Sequence, residues 1–177
     1  LACSLTAFAF ARLNFRLKWM WFGLMMGTLM LPYHVTLVPQ YILFLNLGWV
    51  NTFLPLVVPR FLAVDAFFIF LMVQFFRGIP REIDEAAIMD GCGPWRIYWR
   101  IMLPLSLPVL ATAAIFSFIW TWDDFFGPLI YLNDMSHYTV PLALRSFIDS
   151  TGRSEWGPLF AMSILSLVPV FAVFLFF

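Results

Sequence analysis

Long apolar segments without a charged side chain are the feature that most limits how this chain can fold. Three of them extend from Trp19 to Pro59, from Ile101 to Trp122 and from Trp156 to Phe177. Each can cross the hydrocarbon core of a bilayer, which takes about 20 helical residues. Because 63% of the residues are hydrophobic and only 11% are charged, we expect an all-α membrane protein, a polytopic bundle of transmembrane helices.

Charged residues, Pro and Gly divide the apolar sequence into predicted spans. The predicted spans are residues 1–11, Trp19 to about Leu37 with Pro32 inside, Phe53–Phe76 with breaks at Pro55 and Pro59, Pro108–Tyr131 and Gly157–Phe177. Between the second and third spans, residues 39–51 predict a short interfacial helix that Gly48 ends. The chain begins and ends in apolar sequence, so we expect one transmembrane domain, 1–177, that is truncated at both ends.

The distribution of Lys and Arg predicts the orientation. The turn with Arg12, Arg16 and Lys18 and the segment 77–100 together hold seven of the ten basic residues. Since basic residues favour the cytoplasmic side of membrane proteins, we expect a cytoplasmic loop at about 77–104. The loop at about 132–156 is then extracytoplasmic.

The cytoplasmic loop is a polar island in an apolar chain. Arg77 to Arg100 hold 8 of the 20 formal charges. Pro80 suits the first turn of a helix of about three turns, Gly91 suits a left-handed cap, and Pro94 suits the start of a second helix. Composition alone favours a loop of basic and aromatic helices that lies on the lipid surface.

Spacing within the island is more specific than its composition. The sequence reads EAA-x3-G-x9-I-x-LP, and the fixed positions are Glu85, Ala86, Ala87, Gly91, Ile101, Leu103 and Pro104. This resembles the EAA motif of the permease subunit of bacterial binding-protein-dependent ABC importers. The segments 29–59, 66–91 and 121–132 extend the resemblance to the carbohydrate-uptake branch, and to its maltose-type shorter permease in particular. In that family, one span and most of a second would precede Leu1, and a short tail would follow Phe177.

The resemblance implies a role for each part of the loop. In such importers the EAA loop docks on a separate ABC ATPase dimer, which binds ATP and Mg. Glu85 would then face the ATPase, Ala86 and Ala87 would allow close packing, and Gly91 would permit a bend. A second permease subunit, an extracytoplasmic solute-binding protein and a sugar are the other expected partners, and the lipid bilayer surrounds the spans.

Acidic residues within predicted spans are candidates for the substrate pathway, since a carboxylate inside the bilayer costs about 3 kcal/mol on insertion scales. Relatives in the resembled family typically carry Asn at the positions of Asp65 and Asp123. We expect Asp65, Asp123 and the flat rings of Trp120 and Trp122 to line the pathway, and Asp124 to bond to a neighbouring helix. The alternative is that the acids only pair with polar groups such as Arg60.

Other function classes have less support in the sequence. No GxxxxGK[ST], HExxH or GxSxG motif is present, so we expect no catalytic residue in this chain. His34, His137, Cys3 and Cys92 have no metal-ligand spacing, and zero net charge disfavours nucleic acid. A permease for another small polar solute and an ion-coupled secondary transporter remain alternatives, although the latter leaves the EAA spacing unexplained.

Overall fold

The computed structural model describes residues 1–148 and 156–176, and every regular element in these ranges is helical. The α-helices are α1 (Ala2–Arg12), α2 (Lys18–Thr28), α3 (Tyr33–Asn46), α4 (Leu54–Val57), α5 (Ala66–Gly78), α6 (Glu82–Met89), α7 (Pro94–Ile97), α8 (Leu103–Leu105), α9 (Leu107–Trp122), α10 (Phe126–Tyr131), α11 (Val140–Leu144) and α12 (Trp156–Phe176). A π-helical turn spans Tyr98–Met102, and 3-10 turns span Val58–Leu62, Met135–His137 and Arg145–Phe147. The all-α prediction is confirmed.

The helices form two compact units. One comprises Leu1–Thr36 and Pro59–Ala113, and the other comprises Leu37–Val58 and Ala114–Phe177. The predicted cytoplasmic loop lies wholly within the first unit.

Packing of α1 against α5 forms the core of the first unit. Ala7 and Ala11 are both buried and lie four residues apart on one face of α1, where small side chains let two helices approach closely. Phe8 packs edge-on against Phe76 of α5, with ring centroids 6.3 Å apart. Because lipid is as apolar as Phe, this close packing, rather than escape from water, holds the two helices together.

In the second unit, Asn51 joins the segment after α3 to the end of α10. Asn51 has a left-handed backbone with φ of 63°, and its N–H donates to the Tyr131 carbonyl at 2.7 Å. Its Oδ1 accepts hydrogen bonds from the backbone N–H groups of Asn133 and Asp134, both at 3.0 Å. One side chain therefore orders the first turn of the predicted extracytoplasmic loop.

Pro32 ends a helix that we expected to continue to about Leu37. Helix α2 stops at Thr28, the residue whose carbonyl would have accepted a hydrogen bond from the missing N–H of Pro32. Helix α3 begins directly after Pro32, at Tyr33, so the predicted start of the interfacial helix at residue 39 is also wrong. The predicted cap is confirmed, since Gly48 is left-handed with φ of 68°.

The predicted fourth span, Pro108–Tyr131, is also interrupted. Helix α9 ends at Trp122 and α10 begins at Phe126. Asp124 accounts for the break, because its Oδ1 accepts a hydrogen bond from the Gly127 N–H at 3.1 Å and so replaces a helical carbonyl as acceptor. In the third span, the left-handed Ala63 precedes α5.

Length and composition identify two helical segments that could cross a membrane in the described ranges: Leu54–Gly78, which comprises α4, the 3-10 turn and α5, and Trp156–Phe176. The number rises to four if each of two bent pairs, Lys18–Thr28 with Tyr33–Asn46 and Pro94–Leu105 with Leu107–Trp122, is one span. The last span agrees with its predicted bounds to within one residue.

Candidate coupling site

Helix α6 carries the EAA sequence. It begins at Glu82 and has eight residues, so the predicted start at Pro80 and the length of about three turns are wrong. Three acids in its first turn, Glu82, Asp84 and Glu85, lie at the positive end of the helix dipole. This placement stabilises a helix that is too short to form alone in water.

Gly91 ends α6 as the spacing predicted. Its φ of +77° is left-handed, a conformation that costs an L-residue about 1–2 kcal/mol. The N–H of Gly91 donates to the Ile88 carbonyl and the N–H of Cys92 donates to the Ala87 carbonyl, both at 2.9 Å. A Cβ added at Gly91 would meet no atom within 4 Å, so only the backbone conformation requires glycine here.

The two faces of α6 differ in exposure. Ala87 is 5% exposed and packs into the core of the first unit. Ala86 and Glu85 are exposed, and Ile88 and Met89 are 60% and 87% exposed. The two alanines therefore differ in role: Ala87 fixes the helix to its own chain, and Ala86 leaves room beside Glu85. We call Glu85, Ala86, Ile88 and Met89 the outer face of α6.

The second half of the loop contains a π-helical turn, Tyr98–Met102, between α7 and α8. Pro104 follows this turn and cannot donate to the carbonyl of Arg100, four residues earlier. A wider turn relieves the contact between the proline ring and that carbonyl. The motif residues Ile101 and Leu103 are half-buried against the core of the first unit.

The π-helical turn directs Tyr98 and Met102 into this core, where they are 2% and 0% exposed. The Tyr98 hydroxyl hydrogen-bonds the Ser4 hydroxyl of α1 at 2.7 Å. Both groups are buried, and a buried polar group without a partner is costly. This hydrogen bond therefore fixes the second half of the loop on α1.

Arg12, the last residue of α1, holds the first half of the loop. Its Nη2 donates to the Ile79 carbonyl at 2.7 Å, and its Nε lies 3.2 Å from Oδ2 of Asp84 in α6. The side chains of Arg12 and Asp84 are only 6% and 16% exposed. Among the described residues, neither Arg12 Nε nor Asp84 Oδ1 has a hydrogen-bond partner, so the contact is an ion pair without an aligned hydrogen bond.

Burial opposes ionisation of both partners. It lowers the pKa of Arg12, against the effect of Asp84, and it raises the pKa of Asp84, against the effects of Arg12 and Arg81. Attraction within the pair thus offsets only part of the cost of burial, as is common for buried ion pairs. The contact also places the basic turn and the polar island at one end of the first unit, as the charge distribution predicted.

Asp65, the expected pathway acid of the first unit, lies directly before α5. Its Oδ2 accepts a hydrogen bond from Nη1 of Arg60 at 2.9 Å, in a pair whose side chains are 42% and 33% exposed for Arg60 and Asp65. This pairing is the alternative that the sequence left open. It does not exclude a pathway role, because the carboxylate remains partly exposed.

The other expected pathway residues belong to the second unit. Trp122 donates its indole N–H to the Ser166 carbonyl at 3.0 Å and stacks on Phe118, so its polar edge is already occupied within the unit. Trp120 is 47% exposed and Asp123 is exposed. Asp124 bonds to the N-terminus of α10, the next helix.

Sequence reasoning did not find Arg12, Asp84, Ser4 or Tyr98. Asp84 has a local signal, since it lies in the first turn of an acidic helix, but nothing local pairs it with Arg12, 72 positions away in the chain. The same holds for Ser4 and Tyr98, which are 94 positions apart. No group of three His, Cys, Asp or Glu that could hold a metal ion is found in 1–148 and 156–176.

Residues 3–177 match the model of the binding-protein-dependent transport system inner membrane component. The chain belongs to this family. Its members are membrane-embedded transport components rather than enzymes, and the family description places them in the inner membrane.

Individual relatives agree with this assignment. The chain is 35% identical to the probable ABC transporter permease YurM of Bacillus subtilis over 96% of its length and 56% of the relative. It is 36% identical to the sn-glycerol-3-phosphate transport permease UgpE of Yersinia enterocolitica, with 97% and 60% covered. It is 33% identical to the arabinooligosaccharide transport permease AraQ of Halalkalibacterium halodurans, with 98% and 61% covered. The chain thus spans about three-fifths of the length of these relatives.

A solved structure shares the fold of this chain. A chain from the crystal structure of a bacterial ABC transporter involved in the import of the acidic polysaccharide alginate superposes with a TM-score of 0.81. The match covers 98% of this chain and 67% of the other, at 22% sequence identity. The fold is therefore that of an ABC importer permease.

Proposed function

We propose that this chain is the membrane-spanning subunit of an ATP-driven importer, and that α6 is the element that couples it to a separate ATPase. One observation carries the proposal: the EAA sequence forms a short helix whose inner face is packed into the first unit and whose outer face is exposed. An ATPase dimer would hold the outer face, bind ATP and Mg, and carry out the hydrolysis.

The anchoring of α6 suggests how force passes through it. Arg12 ties α6 to α1, Ala87 packs into the core, and Tyr98 ties the second half of the loop to α1. Movement of the outer face would therefore carry α1 and α5 with it as one body. Closure of the ATPase dimer on ATP would draw the loops together and switch the spans between outward and inward access.

Exposed surfaces of the chain offer contact sites for the remaining partners. None of the side chains of α2 and α12 is buried, so their apolar faces suit lipid or the spans of a second permease. A solute-binding protein would contact the extracytoplasmic loop at 132–156, where Met135 is 76% exposed. Asp149 and Arg153, where cysteines for cross-linking to the binding protein would be placed, lie outside the described residues.

ATP hydrolysis by the reconstituted complex tests the proposal. The full-length permease, its ATPase, its second permease and its solute-binding protein are assembled in lipid vesicles and supplied with a panel of sugars. We expect hydrolysis and uptake to rise together only when the binding protein and a matching sugar are present. Uptake that follows an ion gradient without ATP would instead support an ion-coupled carrier.

A sugar is the substrate class that we favour. The relatives UgpE and AraQ are named as permeases for sn-glycerol-3-phosphate and arabinooligosaccharides, both polyhydroxylated. If Asp65 and Asp123 line the pathway, their carboxylates are acceptors only and would favour substrates rich in donors, such as polyols or amino sugars. Another small polar solute is the alternative.

Asp65→Asn and Asp123→Asn test this role of the acids without a change of shape. We expect the double variant to change which sugars stimulate uptake while ATP hydrolysis without substrate stays at the wild-type rate, because amides add donors to the same positions. Arg60→Gln is the matched control, since it removes the partner of Asp65 and leaves the acid. A wild-type sugar profile in the double variant would assign the acids to packing alone.

A further inference from the structure

A cavity of about 180 Å³ lies at the end of the first unit where α1, α2 and α5 meet the start of α6. One water molecule takes about 30 Å³ in the liquid, so the cavity is large enough for a polyatomic ion. Its lining residues are Ala11, Arg12, Lys18, Trp19, Arg77 and Arg81. All four charged residues in this lining are cations. We call them the cationic cavity residues.

These four cations lack matching negative charge. Asp84 is the one acid in ion-pair contact with any of them among the described residues, and it pairs with Arg12. The pKa of Lys18 is lowered, first by burial and then by repulsion from Arg77 and Arg81. Like charges that face a single cavity repel one another, and a bound anion would stabilise them.

Arg77 and Lys18 are held in place by contacts of their own. Arg77 lies over the rings of Trp19 and Phe22, 5.4 and 5.5 Å from the ring centroids. Lys18 Nζ donates to the Leu13 carbonyl at 2.8 Å, which uses one of its three N–H groups. The cavity therefore presents prearranged N–H donors, which lowers the entropic cost of binding an anion.

We infer that this cavity binds a phosphate-bearing anion, and that the phosphodiester of an anionic phospholipid headgroup is its natural source. Guanidinium groups match phosphate oxygens in geometry as well as charge. The cavity lies at the end of the first unit that the charge distribution predicts to be cytoplasmic, beside the unburied apolar helix α2, and Trp19 at its rim is 70% exposed. Basic pockets between helices on the cytoplasmic side of a membrane suit such headgroups.

Lipid retention by the intact transporter tests the inference. The full-length permease in its complete complex is extracted from vesicles of phosphatidylcholine with one quarter phosphatidylglycerol, and the retained lipids are counted by native mass spectrometry. We expect wild type to retain phosphatidylglycerol, and Arg77→Gln and Arg81→Gln to weaken retention about five-fold each, the effect of one basic residue at an anionic surface. Arg77→Lys, which keeps the charge and loses the planar fork, should fall between wild type and Arg77→Gln.

Arg16→Gln is the matched control. It removes the same charge from the basic turn that also holds Lys18, but Arg16 does not line the cavity. Equal loss of phosphatidylglycerol in Arg16→Gln and in Arg77→Gln/Arg81→Gln would overturn the inference in favour of general surface charge. Failure of wild type to retain any anionic lipid, together with the phosphate result below, would also overturn it.

A second experiment, in vesicles of phosphatidylcholine alone, tests whether the cavity binds free phosphate rather than a lipid headgroup. Sodium phosphate is titrated at constant ionic strength against chloride, and the melting temperature of the complex is read. A rise in wild type that is absent in Arg77→Gln/Arg81→Gln would support the site with a soluble ion as its source; no rise, with no retained lipid, would leave the cavity without an anion. Neither readout requires transport, so the result is independent of the proposed function.

Discussion

Transport should fall to background when Glu85 is replaced by Ala, while membrane insertion of the permease continues. Glu85 is exposed on the outer face of α6 and makes no ion pair within the described residues. Its carboxylate is thus free to pair with a cation of the ATPase. Loss of one partner from a charge pair at an interface costs about 2–5 kcal/mol, so we expect the permease to bind the ATPase at least about 30-fold more weakly.

Glu82→Ala is the matched control for Glu85→Ala. Glu82 lies in the same first turn, is also exposed and makes the same favourable interaction with the helix dipole, but it is outside the EAA spacing. We expect it to change ATPase binding and transport little. Normal transport with a normal yield of complex in Glu85→Ala would disprove the docking role.

Gly91→Ala tests whether Gly91 only ends α6 or also contributes to coupling between ATP hydrolysis and transport. The Cβ has open space around it, so the left-handed backbone is the only penalty, about 1–2 kcal/mol. If Gly91 serves only as a helix stop, the melting temperature falls and the ratio of solute transported to ATP hydrolysed is unchanged. We expect that ratio to fall as well, because the cap fixes the direction in which α7 leaves α6.

Removal of either partner of the Arg12–Asp84 pair should destabilise the permease strongly. Asp84→Ala leaves a guanidinium that is almost fully buried, and Arg12→Leu leaves a carboxylate that is largely buried. Either change should cost about 3 kcal/mol, the low end of the range for a broken buried pair, because Asp84 keeps some contact with solvent. The measurements are the melting temperature and the yield of the assembled complex.

The double variant Arg12→Leu/Asp84→Leu tests whether the ion pair only stabilises the fold or is also needed for transport. No unpaired charge remains, so we expect its melting temperature to lie above that of either single variant. Transport should nevertheless stay low if the pair carries movement from α6 to α1. Asp90→Ala, at an exposed acid just after α6, is the control for loss of charge, and full transport in the double variant would limit the pair to stability.

Local chemistry made several features predictable. The EAA spacing identified the loop and the family, and the left-handed Gly48 and Gly91 were predicted because only glycine adopts that conformation without strain. The basic turn and the island were placed at one end by their charges. The last span was predictable because it contains 21 consecutive helical residues without a charge.

Helix ends within apolar sequence were less predictable. Pro32 was expected inside a span and instead ends α2, whereas Pro39 lies inside α3 and Pro169 inside α12. A proline removes the same hydrogen bond at each of these positions. Whether the chain bends depends on which neighbouring groups compensate for the loss, and these belong to other segments.

Sequence by itself determined that the chain is helical, that it belongs in a membrane, and which loop carries the EAA motif. The tertiary structure alone decided which face of each helix is buried against the rest of the protein. In water, an apolar stripe marks the buried face of a helix; in a bilayer, the faces toward lipid and toward protein are both apolar and no stripe distinguishes them. In α6, outside the predicted spans, two adjacent alanines of equal size and polarity give no local signal either, and the structure buries Ala87 and exposes Ala86. Arg12 meets Asp84 because the packing of α1 on α5 brings the end of α1 to the start of α6, and no local pattern encodes that packing.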